Sequence, residues 1–284
     1  MALTVNTNVA SLNAQRNLQT NQAGLSTVFQ RLSSGLRVNS AKDDAAGLSV
    51  AEGLSSIIRG SNVAVRNAND GISMGQTAES ALGQVSNNFQ RIREIAVQSA
   101  NGSITDDQRQ NLQKEVDQLT QEIARTIGNT KFNGVGLLDD SQSGGITFQI
   151  GAGSADTVSV SGANITGFAS FGSNSVTGAV TATGSIDITT QGGASAALAD
   201  LDTDIATVTG QRAIFGAVQN RFEAVISNLN VYTESLSAAR GRIVDADFAS
   251  ETASLTRGQI LQQASTAILA QANALPQNAL TLLK

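Results

Sequence analysis

The chain has 284 residues, a formal net charge of −5, and neither Cys nor His. That composition removes disulfides, thiolate nucleophiles, imidazole bases and the usual zinc ligands together. With no Lys/Arg cluster, nucleic acid and anionic membrane are poor candidates for a partner. Aromatics make up 4% with no Trp, so a core must be built from Leu, Ile, Val and Ala, which suits helix packing better than a pocket.

At the front, Val5, Leu12, Leu18, Leu25 and Leu32 recur at steps of six or seven, an amphipathic helix with no mate in its own segment. The opening stretch MALTVNTNVASLNAQRN lacks the charged and apolar regions of a Sec signal, and no run reaches the ~18 apolar residues that span a bilayer. Export, if it occurs, is expected to use a route without a cleaved signal.

The next helix is predicted over residues 44 to 100. Asp43 and Asp44 stand where an N-cap and a first-turn acid belong, and Asn101 and Gly102 stop it. Its apolar or small positions run from Leu54 through Ile58, Ser61, Val65, Ala68, Ile72, Gly75, Ala78, Leu82, Val85, Phe89, Ile92 and Ala96. The steps mostly alternate four and three, the coiled-coil spacing. Two successive steps of three around Gly75 read as a stammer. Unbroken, this helix spans roughly 85 Å at ~1.5 Å per residue. Thr105 and Gln108 then form a T-x-x-Q capping box, and Leu112, Val116, Leu119, Ile123 and Ile127 carry the stripe of a third helix ending near Gly128 and Asn129.

From about 140 to 192 Gly, Ser and Thr dominate and charge almost vanishes. Ile146, Phe148 and Ile150 alternate, Gly151 to Gly153 turn the chain, and Val158 and Val160 alternate again, predicting a hairpin. Ile186 and Ile188 predict another short strand. Beyond residue 194 the helical period returns. Leu201, Val208, Phe215, Phe222, Leu229 and Leu236 are each seven apart, with Ile205 and Ile226 in a second column interrupted by Arg212, Gln219 and Thr233. At the end Leu261, Ile268, Leu275 and Leu282 are again seven apart, flanked by Ala264, Ala272 and Ala279. Like the front helix, this one has no mate in its own segment. The two ends must pair with each other or with other copies.

Candidate chemistry is thin. Gly151, Gly153 and Asp156 resemble half a phosphate loop, but the next glycine is missing and a strand follows, so a turn is expected. Asp43/Asp44, Asp106/Asp107 and Asp139/Asp140 are adjacent acids, which do not face one another on a helix; helix starts account for the first two pairs. Asp245 and Asp247 read as caps of the last helix.

Four segments carry a family resemblance. Gln30 to Ala51 reads QRLSSGLRVNSAKDDAAGLSVA, Gln90 to Gly102 reads QRIREIAVQSANG, Leu236 to Phe248 reads LSAARGRIVDADF, and the end reads ILQQASTAILAQANALPQNALTLLK. They resemble the terminal regions of bacterial flagellins, over roughly residues 1 to 160 and 195 to 284. The resemblance implies a mainly α fold: a long coiled-coil-like helical rod with a small β-hairpin region and paired N- and C-terminal helices. It implies an inner terminal-helix coiled-coil domain over 1–43 and 245–284, mobile in the monomer and helical in the polymer. A helical rod domain with the hairpin would cover 44–165 and 193–244, and a short variable, surface-exposed segment 166–192.

The implied function is that of a structural subunit, not an enzyme, that self-assembles into the flagellar filament for motility after unfolded export through the flagellar type III apparatus. The implied location is secreted, in the extracellular flagellum, with no cofactor or metal. Leu18, Leu25, Leu32, Leu261, Ile268, Leu275 and Leu282 would serve self-assembly. Implied partners are copies of the chain itself, an export chaperone, the filament cap and hook-junction proteins, and no nucleic acid or membrane. Among host proteins, Toll-like receptor five would contact Arg91, Ile95 and Glu115, although Phe89 and Ile95 stand where the family commonly has Leu. Plant flagellin-sensing receptor kinases would read Gln30 to Ala51. Ser173, Ser175 and Thr177 are the candidate glycan acceptors, and replacing Ser170 to Ser185 by a Gly/Ser linker is expected to leave polymerisation intact. The rival readings are a hook–filament junction protein or another secreted coiled-coil axial protein, a metallopeptidase, which would require H-E-x-x-H and hence His, and a soluble binding module that stays small in sedimentation.

Overall fold

A computed structural model describes residues 7–139, 144–163, 165, 168–171 and 186–281, without the side chains of Phe171 and of 275–281. The elements are α1 (Val9–Ser34), α2 (Ala45–Ser99), α3 (Asp106–Asn129), the strands β1 (Lys131–Phe132), β2 (Val135–Gly136), β3 (Ile146–Gln149) and β4 (Thr157–Val160), a 3₁₀ turn at Ala169–Phe171, α4 (Gln191–Val244) and α5 (Phe248–Thr281). The mainly helical fold with a small β-hairpin region and paired terminal helices agrees with the sequence expectation. At 55 residues, α2 is about 82 Å long at ~1.5 Å per residue. Its N-cap is Asp44, whose Oδ1 accepts from Gly47 N at 2.8 Å. Asp43 instead accepts from Asn39 N and Ser40 N, so it closes the preceding turn. Those hydrogen bonds, that from the Ser40 hydroxyl foremost, lower its pKa.

The chain packs as two units, one from residues 1–58 and 234–284, the other from 59–233. In the first, α1 and α5 run antiparallel. Gly35 ends α1 with φ 70°, a left-handed cap that glycine adopts without a Cβ penalty. The chain then forms a bridge between Leu36 and Asp245. Arg37 N donates to Val244 O at 2.6 Å, and Ala246 N to Gly35 O at 2.9 Å. The Arg37 guanidinium donates to Ile243 O at 2.6 Å, capping the otherwise unpaired carbonyls at the end of α4.

In the second unit the predicted stripes meet. Leu82, Val85, Phe89, Ile92 and Ala96 of α2, Val116, Ile123 and Ile127 of α3, and Leu201, Val208, Phe215 and Phe222 of α4 are all buried in one core. Leu229, lower in the same column, is half-buried, and so is Leu236, which falls in the first unit. Gly71 explains how α2 and α4 come so close: a Cβ there would lie 2.6 Å from the Phe222 ring. Gly75, at the predicted stammer, likewise seats Gln219, 3.2 Å from a hypothetical Cβ.

The predicted hairpin is present. Strands β3 and β4 pair antiparallel with Ile146 opposite Val160 and Phe148 opposite Val158. Phe148 packs edge-on against Phe222, with ring centroids 5.5 Å apart. A second hairpin, β1–β2, was not read from the sequence. Its signal is Asn133-Gly134, both at positive φ, the dipeptide favoured in a two-residue hairpin turn.

Ile186 and Ile188 do not form a strand. Both are buried as their alternation requires, but their backbone is paired by one side chain: Gln113 Nε2 donates to Ile186 O at 2.7 Å, and Ile188 N donates to Gln113 Oε1 at 2.8 Å. A side-chain amide carries the same donor and acceptor as a backbone unit, so it replaces the neighbouring strand.

Candidate functional site

Helix α5 has two faces, and they are the reverse of what hydrophobicity alone suggests. The face turned inward is Glu251, Leu255, Gly258, Gln262, Ser265, Leu269 and Ala272, all half-buried or buried and spaced four and three, the heptad rhythm. It is small and largely polar. The α1 face that meets it is Ser11, Ala14, Leu18, Asn21, Leu25, Val28 and Leu32, with the same rhythm. Asn8 caps α1, its Oδ1 accepting from Ser11 N at 3.2 Å, and its Nδ2 donates to Ala272 O at 2.8 Å. Ser11 Oγ donates to Asn273 Oδ1 at 2.7 Å. Asn21 Nδ2 donates to Gly258 O at 2.9 Å. Arg31 pairs with Glu251 at 3.3 Å.

The outward face is apolar. Ile260 is 60% exposed, Leu261 49% and Ile268 57%. The assembly residues read from the sequence therefore separate. Leu18, Leu25 and Leu32 lie in the seam between α1 and α5, while Leu261 and Ile268 face away from it. The side chain of Leu275 and all of Leu282 lie outside the described residues. Three large apolar side chains are thus turned to water on one helix that already has a partner.

The residues implied in host recognition also separate. Arg91 donates to Glu94 Oε2 at 3.0 Å and to Glu115 Oε1 at 2.9 Å, so α2 and α3 present one exposed charged cluster. The Glu94 and then the Glu115 carboxylate raise the already high pKa of the guanidinium. Ile95 is 1% exposed and sits in the core. This corrects the expectation of a direct contact: its side chain supports the surface from beneath. Arg93, two residues beyond Arg91, pairs with Asp202 of α4 at 2.6 Å.

Three buried polar anchors escaped sequence reading. Arg109, 4% exposed, donates to the carbonyls of Ser99, of Asn101 at 3.1 Å and of Ile104 at 2.9 Å, capping the end of α2 from α3. Ser99 Oγ donates to Ile188 O at 2.7 Å, continuing the network to the segment held by Gln113. On α4, Asp204 is 1% exposed and accepts from Ala169 N at 2.7 Å, from Ser170 N at 3.0 Å and from the Ser170 hydroxyl. Burial pushes its carboxyl up, with those hydrogen bonds opposing. Phe168 packs edge-on to Phe89 at 4.8 Å beside this anchor.

Ser170 therefore belongs to the packed unit, and the replaceable stretch shrinks from Ser170–Ser185 to 172–185. Ser173, Ser175 and Thr177 fall in that stretch, outside the described residues. A Gly/Ser linker over 172–185 is expected to leave polymerisation intact, because closure entropy changes only with the logarithm of loop length. The same linker begun at Ser170 loses the hydroxyl bond to Asp204 and lowers the unfolding midpoint in urea.

Two family models match the chain: the bacterial flagellin N-terminal helical region over residues 5–143 and the C-terminal helical region over 198–283. The chain belongs to the bacterial flagellin family. It is 40% identical over 280 residues to the flagellin of Halalkalibacterium halodurans, covering 99% of both chains. It is 37% identical over 376 aligned positions to flagellin D of Vibrio anguillarum, covering both fully. Among solved structures it is similar to Bacillus cereus flagellin, with 30% identity, 58% of this chain and 88% of that chain covered, and a TM-score of 0.49. This flagellin is thus a structural subunit that polymerises with itself into the extracellular flagellar filament, and not an enzyme. Among the described residues no helix is long and apolar enough to cross a membrane.

Proposed function

We propose that the outward apolar face of α5 is the surface through which copies of this flagellin join. The carrying observation is that Ile260, Leu261 and Ile268 stay exposed although α5 already has a partner in α1. On this reading residues 1–43 and 245–284 form the inner assembly domain and 44–165 and 193–244 the helical domain, and the variable segment expected over 166–192 narrows to 172–185, because Phe168, Ser170, Ile186 and Ile188 are buried. Deleting Leu261–Lys284 is expected to abolish sedimentable polymer while leaving the unit of 59–233 folded by circular dichroism. A truncated chain that still forms long filaments overturns the proposal.

The remaining family partners follow from the same reading: export in an unfolded state through the type III apparatus with a chaperone, and contact with filament cap and hook-junction proteins. Host recognition rests on the exposed Arg91–Glu115 cluster for Toll-like receptor five and on Gln30 to Ala51 for plant receptor kinases. Arg91→Ala removes the cation that joins Glu94 and Glu115, and it is expected to lower signalling by free monomer at limiting dose. Wild-type signalling from that variant would count against the cluster. Ser173, Ser175 and Thr177 are proposed as glycan acceptors, which intact-mass measurement of purified filaments reads directly.

A further inference from the structure

The α1–α5 seam poses a problem of register. Leu18, Leu25 and Leu32 are seven apart on α1, and Leu255 and Leu269 are fourteen apart on α5. Sliding α1 by a heptad puts Leu18 or Leu32 where Leu25 stood, so burial of the α1 leucines selects among registers weakly, even though Gln262 separates the two leucines of α5.

The polar contacts are not periodic in this way. Gly258 is the sole glycine in the sequence of α5, and a Cβ there would stand 2.9 Å from Leu25 Cδ1. The missing side chain lets Asn21 of α1 reach the backbone carbonyl of Gly258. A heptad slide would put Ser265 or Glu251 in that place, with a side chain in the way. At the far end, Arg31 meets Glu251, whose side chain is 14% exposed, and a slide separates the pair.

We infer that Asn21 on Gly258 and Arg31 on Glu251 are the specificity-determining contacts that fix α5 to the chain's own α1 in a single antiparallel register, and so fix which face of α5 is offered to the next copy. The inference rests on α5 being the assembly helix. A specific polar contact between paired helices is the best attested way to fix their register, at some expense in stability. Two such contacts together favour one register by roughly 30-fold.

The chain has no Cys, so paired thiols report register without background. A Cβ on Gly258 lies 4.0 Å from Leu25 Cβ, inside the ~3.5–4.5 Å range of a disulfide. L25C/G258C reports the native register and L25C/S265C a heptad slide. Both full-length chains are oxidised in soluble and sedimented form, and intrachain links are read as a mobility shift of the monomer band. The native pair is expected to link in most chains, and the shifted pair at least about tenfold less. Adding Asn21→Leu and Arg31→Met to the shifted pair is expected to bring its yield to within about threefold of the native one. Equal linking of both pairs without those substitutions overturns the inference. So does a shifted pair that stays unlinked after them, or a ladder of interchain products in place of the shifted monomer band. Sedimentation of the same samples is read separately: a chain that never pellets counts against α5 as the assembly helix, while its links in solution still decide the register.

Discussion

Leu261→Asp combined with Ile268→Asp raises the critical concentration for polymerisation by about three orders of magnitude or more. Burying one such side chain contributes about 1.5–3 kcal/mol, and a carboxylate in its place must be desolvated or left unpaired, which adds to the loss. Two sites together exceed about 4 kcal/mol, or a factor of a thousand. The soluble chain keeps its fold, because both side chains are half-exposed and lie off the seam with α1. Sedimentation at graded concentration checks this, with Ile268→Leu as a control that polymerises normally. Polymer formation by the double Asp variant at wild-type concentration would contradict it.

Arg109→Ala destabilises the chain by about 2–4 kcal/mol. Hydrogen bonds from a charged group contribute about 1.5–3 kcal/mol, and here one guanidinium serves the carbonyls of Ser99, Asn101 and Ile104. Its removal leaves the last turn of α2 without a cap and loosens Ser99, which holds Ile188. Arg109→Lys recovers little, since an ammonium lacks the planar fork that reaches several acceptors. Urea unfolding of the full chain followed by circular dichroism measures the loss. A change in either variant below about 0.5 kcal/mol, the range of ordinary surface substitutions, would show that the cap is dispensable.

The contrast between α4 and α5 shows what a sequence reveals about packing. The column Leu201, Val208, Phe215 and Phe222 was legible because large side chains at a strict interval of seven leave one buried face. On α5 the same rule selects Leu261 and Ile268, which face outward, because on the inner face Leu255 and Leu269 are separated by Gly258, Gln262 and Ser265 and form no unbroken column. Hydrophobic pattern finds the stripe with the greatest demand for cover. It does not say whether the cover comes from the same chain.

The anchors were invisible for another reason. Asp204 reaches back 34 residues to Ser170, and Gln113 reaches forward 73 to Ile186. A polar side chain used in this way has no local signature. Ile186 and Ile188 showed by alternation that they are extended and buried, but nothing in their neighbourhood named an amide as their partner. The recognition motif around Arg91 was legible as a run of residues, yet its surface was not. Ile95 lies in the same run and points into the core, because α2 turns by ~100° per residue.

The most direct measurement is thiol labelling of Ile268→Cys, the single cysteine in an otherwise Cys-free chain. In the soluble chain position 268 is open, and maleimide labelling runs to completion within minutes. In seeded filaments, confirmed by negative-stain microscopy, labelling of the same residue is suppressed at least about tenfold, and it returns to completion when the same filaments are dissociated by heat before labelling. Equal labelling of position 268 in soluble chain and filament would mean that the outward face of α5 remains in water after assembly, and that copies of this flagellin join through another surface.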